Sequence, residues 1–207
     1  MISHRHACIF VHIPKTAGSS LEDVIWPGER SESDLWMGMR GMRNKYQTGA
    51  LQHLLAWQIR EEVGSDVFNR YFKFSIVRNP WDKLASQYCW LRSTNPALRQ
   101  YIGMNAAASF TEYLELIQKR EHVHWMRQVD FLRDQSGQTM VDFVGRFENI
   151  ETDAKKIFTR IGLPDAKLPR SNVSTGREHY RRYYNEKTKE LVRFLYREDI
   201  ETFEYEF

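Results

Sequence analysis

Phe10-Val11-His12-Ile13-Pro14-Lys15-Thr16-Ala17-Gly18-Ser19-Ser20 is the stretch on which the fold of this chain turns. The apolar run Ala7 to Ile13 reads as a buried strand, and Ser19-Ser20-Leu21-Glu22 opens a helix that ends near Trp26-Pro27-Gly28. Pro14 to Gly18 is the turn between them. Such a junction aims several backbone N–H groups and the positive end of a helix dipole at one point. Lys15 adds a full charge, and Thr16, Ser19 and Ser20 add hydroxyl donors, a set that suits a bound phosphate or sulfate. The pattern is not G-x-x-x-x-G-K-[ST], because Lys15 precedes Gly18, the one glycine of the turn. An ordinary strand–turn–helix junction with a solvated lysine would carry the same letters.

Working outward, Tyr71 to Val77 is a second buried strand, which Asn79-Pro80 turns into a helix from about Trp81 to Leu91. Leu51, Leu55, Ile59 and Val63 recur every four residues and mark an amphipathic helix stopped by Gly64. Ser109 caps a helix to Lys119, and Met140 to Phe147 reads as a third strand. Asn149 caps a helix to Gly162, with Pro164 beyond it, and Glu186 to about Phe203 forms the last helix. This alternation predicts an α/β fold, a P-loop-like parallel sheet flanked by helices. Ligands of such sheets sit at the carboxyl ends of the strands. No repeat, low-complexity tract or linker divides the chain, so residues 1–207 are expected to form a single domain.

Composition narrows the function classes. The 207 residues carry 30 Lys plus Arg against 27 Asp plus Glu, a net charge of +3 with no block of like charges. That excludes a general nucleic-acid binder but leaves room for a local basic pocket for a small anion. Apolar residues at 42% and aromatics at 14% exclude a disordered or collagen-like chain. No apolar run approaches a membrane span, and the N-terminus does not read as a signal peptide. Cys8 and Cys89 form no disulfide framework and no zinc spacing, so a reducing, cytoplasmic location is expected.

A second motif is Phe74-Ser75-Ile76-Val77-Arg78-Asn79-Pro80-Trp81-Asp82-Lys83-Leu84-Ala85-Ser86. It places an arginine at a strand's carboxyl end and a serine eight residues on, along the next helix. Arg78 and Ser86 can then grip one phosphate, the arginine by its planar fork. Asp82 lies one helical turn before Ser86, and a plain Arg78–Asp82 pair at a helix start is the competing reading.

Together, and in this order, the two motifs resemble those of the sulfotransferase superfamily, which uses 3′-phosphoadenosine 5′-phosphosulfate. The chain is most similar to the branch containing Golgi carbohydrate sulfotransferases and bacterial relatives. The likeness runs on through Arg146-Phe147-Glu148-Asn149-Ile150, similar to the family's segment near the adenine. It continues through Leu168-Pro169-Arg170-Ser171-Asn172-Val173-Ser174 and Asp199-Ile200-Glu201-Thr202-Phe203-Glu204-Tyr205. The resemblance implies that Lys15 contacts the bridging oxygen of the donor and stabilises charge on the leaving phosphate. It implies that Thr16, Ala17, Gly18, Ser19 and Ser20 supply backbone and hydroxyl donors, and that Arg78 and Ser86 bind the 3′-phosphate. Phe147 would lie near the adenine. Arg177, in Thr175-Gly176-Arg177, would belong to a loop closing over the cofactor, or else to a surface turn.

Sulfuryl transfer needs mostly positioning and stabilisation of charge on the leaving group, so no metal is required. The acceptor would be a hydroxyl or amine of a carbohydrate or small molecule. His53, off the apolar stripe, is the leading general base, with a solvent-facing helix histidine as the bland alternative. His124 or Glu121 is the runner-up base, and Gln128 and Asp130 are acceptor-side positions in relatives. The His4/His6 and His122/His124 pairs lack a third ligand and read as non-metal sites. Between Gly28 and Gly49, Arg30, Arg40, Arg43 and Lys45 with Trp36, Met37, Met39 and Met42 suit either a lid over an anionic saccharide or a solvated loop. Two other functions remain open: a P-loop nucleotide kinase, and a non-catalytic protein that binds adenosine 3′,5′-bisphosphate. Oligomeric state is not legible from these letters.

Overall fold

The computed structural model describes residues 1–28, 53–169 and 177–207. The chain forms two compact units, Met1–Val77 with Gln128–Val173 and Arg78–Arg127 with Ser174–Phe207.

The first unit holds the sheet, with β1 (Ile2–Ser3), β2 (Cys8–Phe10), β3 (Phe72–Val77) and β4 (Phe143–Arg146) side by side in that order. β1 runs antiparallel to β2, whereas β2, β3 and β4 are mutually parallel. The fold is α/β with a mostly parallel sheet, as the alternation of patterns predicts. Register pairs Phe10 with Phe74, and their rings stack at 5.0 Å. Cys8 and Phe10 share one face with Phe74 and Ile76, since side chains alternate along a strand. Against that face lie Leu21 and Ile25 of α1 (Gly18–Ile25) and Ala154, Ile157 and Phe158 of α8 (Ile150–Arg160). Each large side chain buried here contributes roughly 1.5–3 kcal/mol. Gly145 of β4 admits α8: a Cβ there would lie 2.6 Å from Ile76 Cδ1 and 3.0 Å from Asp153 Cβ. Asp153 then accepts a hydrogen bond from the Arg146 N–H at 2.9 Å.

The same unit contains α2 (Ala56–Val63), α3 (Ser65–Arg70) and α7 (Gln128–Leu132). α2 starts later than the Leu51 periodicity predicts. Leu55 is extended, and its N–H donates to the Gln58 side chain at 2.9 Å, so the chain turns into the helix only at Ala56. Leu51 itself lies outside the described residues. β4 is shorter than the expected strand, because Met140 N–H donates back to Leu132 across a hairpin bridge between Arg133 and Thr139.

The second unit is helical. Asn79 caps α4 (Pro80–Thr94), its side chain accepting from Trp81 and Asp82 N–H, with Pro80 at the first helical position. Asn95 caps α5 (Pro96–Ile102), and a Ser109/Glu112 capping box starts α6 (Phe110–Ile117). The expected last helix is two, α9 (Glu186–Leu195) and α10 (Arg197–Thr202). The break is at Tyr196, which is buried with its hydroxyl donating to the Trp125 carbonyl. Asn149 stands at the cap position of α8 but makes no side-chain cap bond.

Candidate active site

The turn after β2 is held by unusual backbone. Lys15 and Ala17 both have φ of 67°, the left-handed region, at about 1–2 kcal/mol each for an L-residue. Between them Thr16 is fully buried, and its hydroxyl donates to the Ile13 carbonyl at 2.8 Å. Thr16 therefore closes the turn, and what it can offer a ligand is its backbone N–H. Ser20 N–H returns to Ala17 at 3.1 Å, and α1 begins with no side-chain cap at all. The first N–H groups of a helix have no intrahelical acceptor, so this end is chemically suited to an anion. Lys15 is half-buried, Ser19 exposed and Ser20 buried.

His12, the residue that enters this turn, is the organising side chain. It is buried, stacked on Phe10 at 5.1 Å, with Nδ1 2.6 Å from Glu22 Oε1. The two atoms are close but not aligned as an N–H···O bond, so the contact is one of close packing. Gly18 sits against the His12 ring; a Cβ there would be 1.9 Å from Nε2.

His53 packs edge-on to the His12 ring at 4.5 Å and is 5% exposed, which rules out the solvent-facing helix histidine. It precedes α2 and does not lie on it. Its Nδ1 is 2.9 Å from the His12 carbonyl. A carbonyl only accepts, so the proton is on Nδ1, and Nε2 is the ring's basic atom when the ring is neutral.

In the second unit, Arg78 does pair with Asp82, as the plainer reading has it, through Nε at 2.9 Å and Nη2 at 2.8 Å to Oδ2. The pair is not isolated. Arg177 reaches the other carboxylate oxygen at 2.7 Å, so Asp82 brings two of the expected donor-binding arginines together. Burial alone would raise the Asp82 carboxyl, but the two arginines outweigh it and hold it below the usual range. Ser86 lies one turn further along α4 and is buried.

The remaining expectations are placed as follows. Phe147 begins a short turn after β4 and packs on the core of the first unit. Gln128 is fully buried on α7, beside half-exposed Asp130. His124 donates from Nδ1 to the Gln87 side-chain oxygen at 3.0 Å and stacks on Trp90 at 5.2 Å. Burial holds His122 down to about 4, so it is neutral near pH 7. Glu29 to Gln52 and Arg170 to Gly176 lie outside the described residues, including the basic, Met-rich segment and Gly49-Ala50-Leu51-Gln52 before His53. Among the described residues no three His, Cys, Asp or Glu side chains gather as a metal-ligand set, and no helix is long and apolar enough to cross a membrane.

Three residues escaped the sequence reading: His12, Glu22 and Lys83. His12 and Glu22 had a visible signal, a polar residue in each of the two elements flanking the turn. Lys83 is 1% exposed, and its ammonium donates to the His124 carbonyl at 3.0 Å; in sequence it is one more lysine on a helix.

An uncharacterized protein of Archaeoglobus fulgidus is 32% identical over 127 residues, covering 61% of this chain and 97% of that protein. Carbohydrate sulfotransferase 14 of Danio rerio is 24% identical over 187 residues, covering 79% of this chain. The chain spans about half, 48%, of that relative's length. No solved structure matches. The sulfotransferase family model matches residues 1–206, nearly the whole chain. With both phosphate-suited motifs inside that match, the chain belongs to the sulfotransferase family.

Proposed function

We propose that this chain transfers a sulfuryl group from 3′-phosphoadenosine 5′-phosphosulfate to a carbohydrate hydroxyl, and that residues 1–207 act as one sulfotransferase domain. The observation that carries the reading is the turn from His12 to Ser20, where left-handed Lys15 and Ala17 lead into a helix with no side-chain cap. Family membership favours sulfuryl over phosphoryl transfer, and the name of the Danio rerio relative supports a carbohydrate acceptor. A cytoplasmic setting belongs to the same proposal, supported by the two free thiols, Cys8 and Cys89.

In this reading the backbone N–H groups of Thr16, Ala17, Gly18 and Ser19, with the Ser19 and Ser20 hydroxyls, take the 5′-phosphosulfate. Arg78, held by Asp82, and Ser86 take the 3′-phosphate, with Arg177 as a second cation, and Phe147 lies towards the adenine. The acceptor oxygen forms a bond to sulfur as the bond from sulfur to the leaving phosphate oxygen breaks. Lys15 stabilises the negative charge that builds on that oxygen. The acceptor's proton passes to His53 Nε2, the basic atom left by the Nδ1 bond to the His12 carbonyl.

The test is incubation of the protein with the nucleotide donor and a panel of saccharides, read by mass spectrometry for the gain of one sulfuryl group. Adenosine 3′,5′-bisphosphate should also raise Tm more than AMP or ATP at equal concentration, by an amount equivalent to about 2.7 kcal/mol at a hundred times its Kd. Bisphosphate binding with no transfer to any acceptor would convert the proposal to a non-catalytic binder. Equal shifts with AMP would remove the 3′-phosphate role from Arg78 and Ser86.

A further inference from the structure

The parallel strands of the first unit have a second end. β2 delivers the chain to Lys15 at its carboxyl end, while Ala7, Phe72 and Phe143 stand at the amino ends of β2, β3 and β4. At that opposite edge a cleft of about 770 Å³ opens, lined by Arg70, Lys73, Lys156 and Arg160 with His6 and Asp142. Four cationic side chains thus face one carboxylate, in a chain whose whole net charge is +3.

Two of the four cations are already matched. Lys73 is 2.9 Å from Asp142, and Lys156 is 2.8 Å from Asp153. Arg160 lies over the Phe72 ring at 5.7 Å, and Arg70 donates from Nε to the Asp66 carbonyl at 3.2 Å. Neither arginine has a carboxylate partner among the described residues. Two guanidinium groups are therefore anchored by neutral contacts and keep their charge for a ligand, and the planar fork matches sulfate and phosphate oxygens. The volume lies in the range of small-molecule sites, far above that of one oxoanion, and Phe72 and Phe143 give an apolar wall that a bare ion does not use.

We propose that this cleft binds the sulfate or phosphate ester of a small molecule, held by Arg70 and Arg160, at a site separate from the Lys15 turn. The inference stands on the first unit alone and does not depend on the transfer reaction.

The experiment is calorimetric titration of the full chain with four probes: inorganic sulfate, inorganic phosphate, galactose 6-sulfate and glucose 6-phosphate. An ester should bind more tightly than its parent ion, and the two ester arms decide between a sulfated and a phosphorylated ligand. Arg70→Ala and Arg160→Ala should each weaken ester binding about tenfold or more, the scale for a lost charged hydrogen bond. Arg160→Lys, which keeps the charge without the fork, should fall between. Binding should weaken with added salt and persist in Lys15→Ala. In the unaltered protein, the ester should move the amide resonances of Ala7, Tyr71 and Phe143 and leave those of Ala17 and Gly18 in place, a readout that needs no variant to fold. The proposal is overturned by no ester binding, by equal affinity for ester and ion, by binding indifferent to both arginines, or by shifts confined to the Lys15 turn.

Discussion

Gly18→Ala tests whether the turn is built around the His12 ring. The added Cβ would lie 1.9 Å from Nε2 and 2.2 Å from Cδ2, where ordinary contact begins at 3.4 Å. The ring would have to retreat by about 1.5 Å, the difference between the first and last of those distances. It has nowhere to go, with Phe10 stacked at 5.1 Å, Glu22 at 2.6 Å and the His53 ring at 4.5 Å. Overpacking of this kind costs about 1–3 kcal/mol, and a ring so enclosed belongs at the top of that range. Alanine's advantage over glycine in a helix returns up to about 1 kcal/mol. The net loss is about 2 kcal/mol, or a fall in Tm of about 4–8 °C for a chain of this size. Thermal melts followed by circular dichroism measure it. The control is His12→Ala, which removes the obstructing ring. If the clash is the cause, the double variant loses about 3 kcal/mol less than the sum of the single variants, because the clash goes and the helix-propensity gain stays. Strict additivity, or an unchanged melt for Gly18→Ala, would refute the reasoning.

Four shorter expectations follow. Lys15→Ala should lower turnover about 10²–10³-fold while the bisphosphate-induced rise in Tm remains, whereas Arg78→Ala should shrink that rise. His53→Ala should cost about 10²–10⁴ in rate and remove the acid limb of the pH–rate profile, again with nucleotide binding intact; near-normal turnover with an unchanged limb would move the base to His124, Glu121 or the acceptor. Asp82, whose folded carboxyl lies below the usual range, contributes stability that is whole above the ordinary carboxylate pKa of about 4 and is lost as pH falls through the lower folded value; acid melts of Asp82→Asn should lack that component. His122 titrates at about 4 in the fold against 6.5 outside it, so the unfolded chain takes up the proton first and stability declines from pH 6.5 down to about 4, then levels. In His122→Gln, melts across that window should be flatter by one proton.

What the letters disclosed depended on how local the cause was. The Asn79-Pro80 start of α4 and the Ser109/Glu112 start of α6 were readable because capping is settled within four residues. The three parallel strands were readable because each is a short apolar run ahead of a turn. The break at Tyr196 was not, because it depends on a hydroxyl reaching Trp125, 71 residues away in sequence. The late start of α2 is the exception, a local cause in which the Gln58 side chain takes the Leu55 N–H, hidden behind the four-residue leucine spacing. At the candidate site the residue types were legible and their couplings were not. His53 stood out as a histidine off an apolar stripe, but nothing local told that its Nδ1 would meet the carbonyl of His12, 41 residues earlier. Arg78 and Arg177 were each expected near the donor, while their shared Asp82 could be read only for the nearer one.

That shared carboxylate changes the meaning of the Arg78–Asp82 pair. Taken alone, the pair describes a neutralised arginine at a helix start, with little left for a ligand. With Arg177 on the second oxygen, one negative charge lies between two positive ones, and the cluster stays cationic. Two guanidinium groups brought together without it would repel, and a phosphate would then have to order both side chains as it bound, at about 0.5–1.5 kcal/mol for each. Asp82 meets that ordering cost during folding instead. Each arginine also has more donors than the carboxylate uses, since a guanidinium carries five N–H groups. The His12–Glu22 contact does comparable service in the first unit: an acid fixes the ring that shapes the turn, and the carbonyl of that same residue sets which nitrogen of His53 is basic. In both places a carboxylate acts on the chemistry at one remove: Asp82 holds the arginines proposed to meet the donor, and Glu22 packs against the ring of the residue whose carbonyl orients His53.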